Sequence, residues 1–150
     1  MKYRQQILYN NKKLLIINDS KSTSFSSTIE LLKSYQNICW IVGGKFKKGD
    51  KFYLNKKYYK NIKAYIYGKN KYFFIKNLNN RIQYKTFKNI KDVLLRIVID
   101  IKKNNSYPAS VIFSPSAASF DQFNNFEDRG KYFNYLIRQL SIIKKINVRR

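Results

Sequence analysis

The stretch NICWIVGG, residues 37–44, contains a continuous apolar run that is closed by two glycines. A half-buried strand alternates apolar and polar side chains, whereas a strand covered on both faces is apolar throughout. The run therefore predicts a central strand of a parallel sheet, followed by a glycine turn.

Upstream of this strand, the short alternating runs 4–9 and 12–18 flank Asn10-Asn11. Asn tolerates a positive φ, so the pattern predicts a β-hairpin. Between the hairpin and the central strand, the segment 27–35 predicts an amphipathic helix. The serines that could cap its start are Ser24, Ser26 and Ser27.

Downstream, helical and strand-like patterns alternate. The predicted helices are 52–59, 70–78, 89–103 and 131–145, and the predicted strands are 61–68, 81–87 and 109–114. The clearest helix is 89–103, because six apolar residues share one of its faces. They are Ile90, Val93, Leu94, Ile97, Val98 and Ile101. The alternation predicts one α/β domain with a mostly parallel sheet of about six strands, one of them antiparallel.

The composition limits the class of protein. The chain has 150 residues, of which 44% are hydrophobic, and this suits one domain with a core. No stretch has the length of a membrane span, and the start lacks the apolar segment of a signal peptide. The single cysteine, Cys39, excludes an internal disulfide, and the lack of histidine disfavours a transition-metal site. We expect a cytoplasmic monomer.

The net charge of +23 is compatible with nucleic-acid binding. The basic residues, however, are mostly lysines scattered through every segment, whereas a phosphate-binding face would cluster them and use more arginine. Nucleic acid is therefore a disfavoured partner, and a basic nucleic-acid-binding module is kept only as an alternative.

Three loops of unusual composition follow predicted strands. They are NDSKST at 18–23, GGKFKKGD at 43–50 and SPSAASFDQF at 114–123. Ligands of open α/β sheets bind at the carboxyl ends of the strands. The three loops are therefore expected to line one crevice.

The loop 43–50 combines backbone freedom with positive charge. Gly43 and Gly44 permit a sharp turn and a close approach to a ligand. The lysines that could meet an anion are Lys45, Lys47 and Lys48. The loop is not a phosphate-binding P-loop, because the Lys-Ser or Lys-Thr pair required after Gly49 is missing. A basic surface turn stays open as the alternative.

The loop 18–23 offers groups of both charges. Asp19 could accept hydrogen bonds from a ribose, Lys21 is a cation and Thr23 carries a hydroxyl. Alternatively, Asp19 and Ser20 only shape an Asx-type turn and cap the next helix.

The loop 114–123 has small residues at 116–119, which allow a close approach at a predicted helix start. Free N–H groups at a helix N-terminus bind carboxylates and phosphates. Alternatively, Ser119 or Asp121 only caps that helix. Three aromatic residues with helical spacing are expected in the core: Phe120, Phe123 and Phe126.

Together, these loops resemble the C-terminal domain of the Mur ligases of peptidoglycan biosynthesis, in particular the members that add D-glutamate. The matching segments are Tyr3-Arg4, NDSKST at 18–23, Gly43-Gly44 with Lys47 and Asp50, and SPSAASFDQFNNFEDRG at 114–130. The resemblance runs nearly from end to end, although Tyr3 stands where the family usually has His.

The resemblance implies a Rossmann-like domain of an ATP-dependent, amide-bond-forming ligase. Such an enzyme uses ATP to phosphorylate the carboxylate of UDP-N-acetylmuramoyl-L-alanine, and the amine of D-glutamate attacks the acyl phosphate. A first domain holds the UDP group, a central domain holds ATP and magnesium, and the C-terminal domain brings the amino acid. Residues 1–150 would be the last of these, so the isolated chain is expected to be inactive. A non-catalytic remnant is the remaining alternative.

The resemblance also implies roles in binding D-glutamate. Lys47 and Thr23 would hold its α-carboxylate. Ser119, together with the backbone near Phe120 and Phe126, would hold its side-chain carboxylate.

A second set of residues would face the nucleotide. Asp19 would contact the ATP ribose, Arg4 would lie close to the nucleotide, and Lys21 would lie near the reacting phosphate or the substrate. No residue of this chain is expected to be catalytic or to bind a metal ion.

Overall fold

The computed structural model describes residues 1–120 and 122–148. Its strands are β1 (Gln6–Asn10), β2 (Leu14–Asn18), β3 (Ile38–Gly43), β4 (Ile62–Tyr67), β5 (Gln83–Phe87) and β6 (Ala109–Phe113). Its helices are α1 (Ile29–Ser34), α2 (Lys71–Leu78), α3 (Ile90–Asn104), α4 (Phe126–Gln139) and α5 (Ile142–Asn147), with a 3-10 helix at Lys56–Asn61.

The strands form one mixed sheet in the order β1-β2-β6-β3-β4-β5. β1 pairs antiparallel with β2, and the other neighbouring strands pair in parallel. β3 lies inside the sheet, and each of its residues is buried. The predicted fold class is therefore confirmed, including the single antiparallel strand.

Apolar side chains cover both faces of the sheet. On one face, α3, α4 and α5 pack against the sheet, and the six residues predicted for the apolar face of α3 are buried there. On the other face, α1 and α2 pack around Trp40, which is fully buried. No helix in the described part of the chain is long and apolar enough to cross a membrane.

The β1–β2 hairpin is confirmed, but the predicted reason for its turn is wrong. Neither Asn10 nor Asn11 has a positive φ. Instead, the Asn11 side chain accepts hydrogen bonds from the amides of Lys13 and Leu14, at 2.9 and 2.8 Å. A side chain that bonds to the backbone a few residues ahead thus closes the turn.

Three predicted helix details are also wrong. Thr28, not a serine, is the N-cap residue of α1. The helix predicted at 52–59 begins only at Lys56, because the Asn55 side chain caps it by accepting from the Lys57 amide at 3.0 Å. The terminal helix is divided in two, since Ser141 has a φ of 50° and interrupts the helical path between α4 and α5.

Candidate functional site

The carboxyl ends of β2, β6 and β3 lie side by side, because these strands are parallel neighbours. The three candidate loops follow these strands and therefore meet at one edge of the sheet, as predicted. Lys45 and Ala118 join two of the loops by exchanging backbone hydrogen bonds, each 2.9 Å long. The Gly43 amide adds a bond of 3.1 Å to the carbonyl of Pro115.

Gly43 and Gly44 are required here by backbone angle and by space. Their φ values are +155° and +123°, and a Cβ at Gly44 would lie 2.7 Å from the carbonyl oxygen of Ala118. A Cβ at Gly43 would overlap the carbonyl oxygen of Tyr67. The glycines thus allow the loops to approach neighbouring backbone, which explains their presence without any ligand.

Arg129 of α4 is fully buried beneath these loops. Its Nη1 donates to the carbonyl of Ala117 at 2.8 Å, and its Nη2 donates to the carbonyl of Ser20 at 2.6 Å. Its Nε donates to the Ser20 hydroxyl at 3.1 Å. One guanidinium group therefore links the loop after β2 to the loop after β6, and its planar donors suit several acceptors at once.

The carboxylate of Asp19 is also buried, with only 3% of the residue exposed. Oδ1 accepts from the Gln5 amide at 3.0 Å, and Oδ2 accepts from the Ser114 hydroxyl at 2.7 Å. Burial raises the pKa of Asp19, although both hydrogen bonds and the positive charges of Arg4 and Arg129 oppose that rise. Each carboxylate oxygen is therefore already hydrogen-bonded within the protein.

The Ser114 hydroxyl continues this network into the core. The hydroxyl of Thr28 lies 2.7 Å from that of Ser114, 2.6 Å from that of Ser116 and 2.7 Å from that of Ser22. All four of these residues are buried. Thr28 therefore connects both loops through neutral hydroxyl groups, which is why it makes no cap bond to α1.

The turn in the loop 18–23 is formed by the Asn18 side chain and not by that of Asp19, which was the predicted residue. The Ser20 amide donates to Oδ1 of Asn18 at 3.1 Å, so Asn18 rather than Asp19 forms the Asx-type turn. The Nδ2 group of Asn18 donates to the carbonyl of Gly130 at 3.0 Å. The first loop is thus anchored to α4 on this side as well.

The helix that follows β6 begins later than predicted. α4 begins at Phe126, and the Asn125 side chain caps it by accepting from the Asp128 amide at 2.8 Å. The helix start predicted at 116–119 is therefore wrong. Ser119 instead begins a turn, because its carbonyl accepts from the amides of Gln122 and Phe123 at 3.2 and 2.9 Å. The alternative cap Asp121 lies outside the described residues.

The aromatic residues of this segment are less buried than predicted. Phe120 is 68% exposed, so its expected place in the core is wrong, because it precedes α4. Phe123 and Phe126 are half-buried. Within the described residues, the amides of Phe120 and Phe126 have no hydrogen-bond acceptor. Both amides can therefore donate to a ligand.

The cationic and hydroxyl candidates lie towards solvent. Lys47, Thr23 and Arg4 are exposed, and Lys21 is half-buried. The ammonium of Lys21 lies 5.5 Å from the ring centroid of Phe126, so it links the loop 18–23 to the start of α4. The side chains of these residues are therefore accessible to an anion from solution.

The segment before β1 closes the site from one side. The ring of Tyr3 packs against Gly130, where a Cβ would overlap it. The carbonyl of Tyr3 accepts from the Lys21 amide at 2.8 Å. Arg4 follows Tyr3, and its positive charge acts on the carboxylate of Asp19.

Arg129 is the important residue that our sequence reasoning did not single out. It lies on the same face of α4 as the buried Phe133 and Leu136, at spacings of one and two helical turns. A charged residue at such a position is a detectable signal, because an arginine is almost never buried without partners.

No family model matches the chain. A UDP-N-acetylmuramoylalanine–D-glutamate ligase of Wolbachia pipientis wMel is 32% identical over 140 residues, covering 93% of this chain and 27% of that protein. The ligase of the same name from Rhizobium meliloti is 33% identical over 133 residues, covering 89% of this chain and 29% of that protein. The chain thus spans less than a third of the length of these curated relatives.

A solved structure shows the same fold. It is the crystal structure of a murein peptide ligase from Psychrobacter arcticus, which matches with a TM-score of 0.53 and 8% identity. The match covers 99% of this chain and 31% of that protein. The chain is therefore a homologue of one part of the UDP-N-acetylmuramoylalanine–D-glutamate ligases.

Proposed function

We propose that the chain is the amino-acid-binding, C-terminal domain of a ligase that joins D-glutamate to UDP-N-acetylmuramoyl-L-alanine. The observation that carries this proposal is the meeting of three motif loops at one sheet edge. The loops are far apart along the sequence. The sequence that contains them is similar to one part of a D-glutamate ligase. In such an enzyme the UDP group and ATP belong to further domains.

D-glutamate brings two carboxylates, and neither can be buried without partners. We assign the α-carboxylate to the ammonium of Lys47 and the hydroxyl of Thr23, both of which are exposed. The distal carboxylate is assigned to the hydroxyl of Ser119 and to the amides of Phe120 and Phe126. Charge-assisted hydrogen bonds of this type are stronger than neutral ones.

The groups proposed for the nucleotide lie on the side of Tyr3. Arg4 and Lys21 supply positive charge, and Asp19 is assigned to the ribose. Because the Gln5 amide occupies Oδ1 of Asp19 at 3.0 Å, a ribose hydroxyl would bind there after the segment before β1 has shifted. That segment is also where this domain would join the ATP-binding part of the enzyme.

The residues that the structure describes do not form a site suited to magnesium. Among the described residues, no group of three or more Asp, Glu, Cys or His side chains could hold a metal ion. The ion that accompanies ATP is therefore assigned to another domain.

The chemical role of this domain is to position the amine. In the proposed reaction the D-glutamate nitrogen bonds to the acyl carbon, the carbon–oxygen bond to phosphate breaks, phosphate leaves, and the nitrogen releases a proton. Holding both carboxylates fixes the direction of the amine, and well-oriented reactants gain large effective molarities. Closure of this domain on the nucleotide would complete the geometry.

The first test is titration of the ¹⁵N-labelled chain with D-glutamate, followed by NMR. We expect saturable shifts at the amides of Thr23, Lys47, Ser119 and Phe126. Lys47→Ala should weaken the affinity about tenfold or more, since it removes a charged hydrogen-bond partner.

Lys91→Ala is the matched control, because it removes the same charge from an exposed position at the start of α3. Equal losses in the two variants would mean that the +23 chain attracts the anion only through its net charge. Unchanged affinity in Lys47→Ala would contradict the assignment of Lys47, and identical shifts with L-glutamate would contradict a specific site.

A further inference from the structure

Three phenylalanine rings form a parallel stack beside the candidate site. The rings of Phe46 and Phe73 are 4.2 Å apart and 9° from parallel, and those of Phe73 and Phe25 are 5.9 Å apart and 8° from parallel. The stack runs from the surface to the core, because Phe46 is 37% exposed and Phe25 only 1%.

The three rings come from three separate segments. Phe46 belongs to the loop after β3, Phe73 to α2, and Phe25 to the loop after β2. Lys47 directly follows Phe46, and Thr23 precedes Phe25 by two residues. The stack therefore joins the two loops that carry the groups proposed for the α-carboxylate.

A second contact supports the same junction. The carboxylate of Asp50 accepts from the Phe25 amide at 2.9 Å, and the Asp50 amide donates to the carbonyl of Lys47 at 3.0 Å. On the other side of the loop, Lys45 pairs with Ala118. Lys47 thus lies between two anchored points, and it is exposed to solvent.

We infer that Phe73 is a positioning residue for the amino-acid carboxylate: its ring holds Phe46 and Phe25 in register and thereby sets Lys47 against Thr23. The inference rests on the proposed function. Phe73 is not assigned a contact with the ligand. It orders the two loops before the ligand binds, so binding costs less conformational entropy.

The experiment is D-glutamate titration of the ¹⁵N-labelled full chain, with Phe73→Leu as the variant. Leucine keeps an apolar side chain but removes the ring, so the affinity should fall about fivefold to tenfold. The ring-preserving variant Phe73→Tyr should retain the affinity of the unmodified chain. The matched control is Phe87→Leu, because Phe87 is also half-buried and stacks on Tyr65 at 5.9 Å, away from both loops.

A double variant separates positioning from general stability. Phe73→Leu should weaken binding much less when Lys47→Ala is already present, because the stack acts through Lys47. A fully additive loss, or equal losses in Phe73→Leu and Phe87→Leu, would overturn the inference while leaving the proposed function intact. Lack of saturable binding by the unmodified chain would instead refute the proposed function, and the inference with it.

Discussion

Two buried aspartates at opposite edges of the sheet have opposite surroundings. Asp19 follows β2 at the carboxyl edge, and its hydrogen bonds come from the neutral groups of Gln5 and Ser114. Asp100 of α3 lies near the starts of β4 and β5, and its partners are mostly charged. They are Lys63 at 3.3 Å, Lys85 at 3.1 Å, Arg96 at 2.9 Å and the Tyr65 hydroxyl at 2.8 Å.

The pKa values follow this difference. Burial raises the pKa of Asp100, but hydrogen bonds from Tyr65 and Lys85 and the charge of Lys63 outweigh it, and the pKa falls to about 2. Burial also raises the pKa of Asp19, and there the neutral donors do not reverse the rise. One aspartate is thus held as an anion by cations, and the other is held by neutral groups.

The positively charged side chains at the two edges have different partners. At the Asp100 edge, Lys63 and Lys85 join two strands to α3, and Arg96 of the same helix also pairs with Asp100. At the Asp19 edge, the loops are joined by hydroxyls, carbonyls and the buried Arg129, while Lys47 and Arg4 stay exposed. Within the described residues no ion pair engages Lys47 or Arg4, so an anion that binds as proposed would break none there.

The largest effect is expected for Arg129→Ala. The substitution leaves the buried carbonyls of Ser20 and Ala117 without their donor and opens a cavity between the loops. We expect the free energy of unfolding to fall by about 3–5 kcal/mol, as for other buried charged networks that lose one partner. Urea unfolding followed by tryptophan fluorescence measures this loss, because Trp40 is buried in the core.

Arg129→Lys is the sharper companion variant. A lysine keeps the charge but cannot reproduce the planar donors that reach Ser20 and Ala117 together. Full recovery of stability with lysine would mean that charge alone, rather than the geometry of the guanidinium, holds the two loops together.

Asp100→Asn should have the next largest effect. The variant leaves Lys63, Lys85 and Arg96 without their counter-charge, and we expect a loss of about 2 kcal/mol at pH 7. The folded pKa of Asp100, about 2, lies below the ordinary value of 3.8. Its contribution is therefore present above pH 3.8 and is lost as the pH falls towards 2, so the variant and the unmodified chain should converge in acid.

Asp19→Asn tests the other half of this comparison. Because its pKa is raised in the folded protein, the stability that Asp19 contributes is present below the ordinary value of 3.8 and is lost as the pH rises through the folded pKa. The variant should therefore lower the free energy of unfolding by less than Asp100→Asn does at pH 7. It should also remove a decrease in stability with rising pH, whereas Asp100→Asn removes an increase. Parallel pH profiles for the two variants would show that the two environments are equivalent.

The sequence predicts the sheet and the main helices because the pattern of apolar residues is clearest in the fully buried elements. The apolar run in β3 identifies a strand inside the sheet, and the apolar face of α3 identifies a helix that packs on it. The parallel strand order brings the three loops together. The details that it misses depend on single polar contacts. Arg129 and Asp100 interrupt apolar faces, and a pattern of hydrophobicity does not reveal which distant groups compensate a buried charge.

Helix boundaries are missed for a related reason. Ser119 and Asn125 are both acceptable cap residues, and only the path of the loop after Ala118 decides that α4 begins at Phe126. Ser141 has no unusual sequence signature, although it is left-handed and separates α4 from α5. Local propensity is too weak to fix such points.

The smallest effect is expected for the two asparagine caps, which form a matched pair. Asn89 caps α3, which carries Asp100, and Asn125 caps α4, which carries Arg129; each side chain accepts from an amide at 2.8 Å. Either substitution by alanine should cost about 1 kcal/mol of unfolding free energy. Only Asn125→Ala should also weaken D-glutamate binding, because it loosens the helix start that holds the Phe126 amide. Equal loss of binding in both variants would mean that affinity follows overall stability rather than the local order of the carboxyl edge.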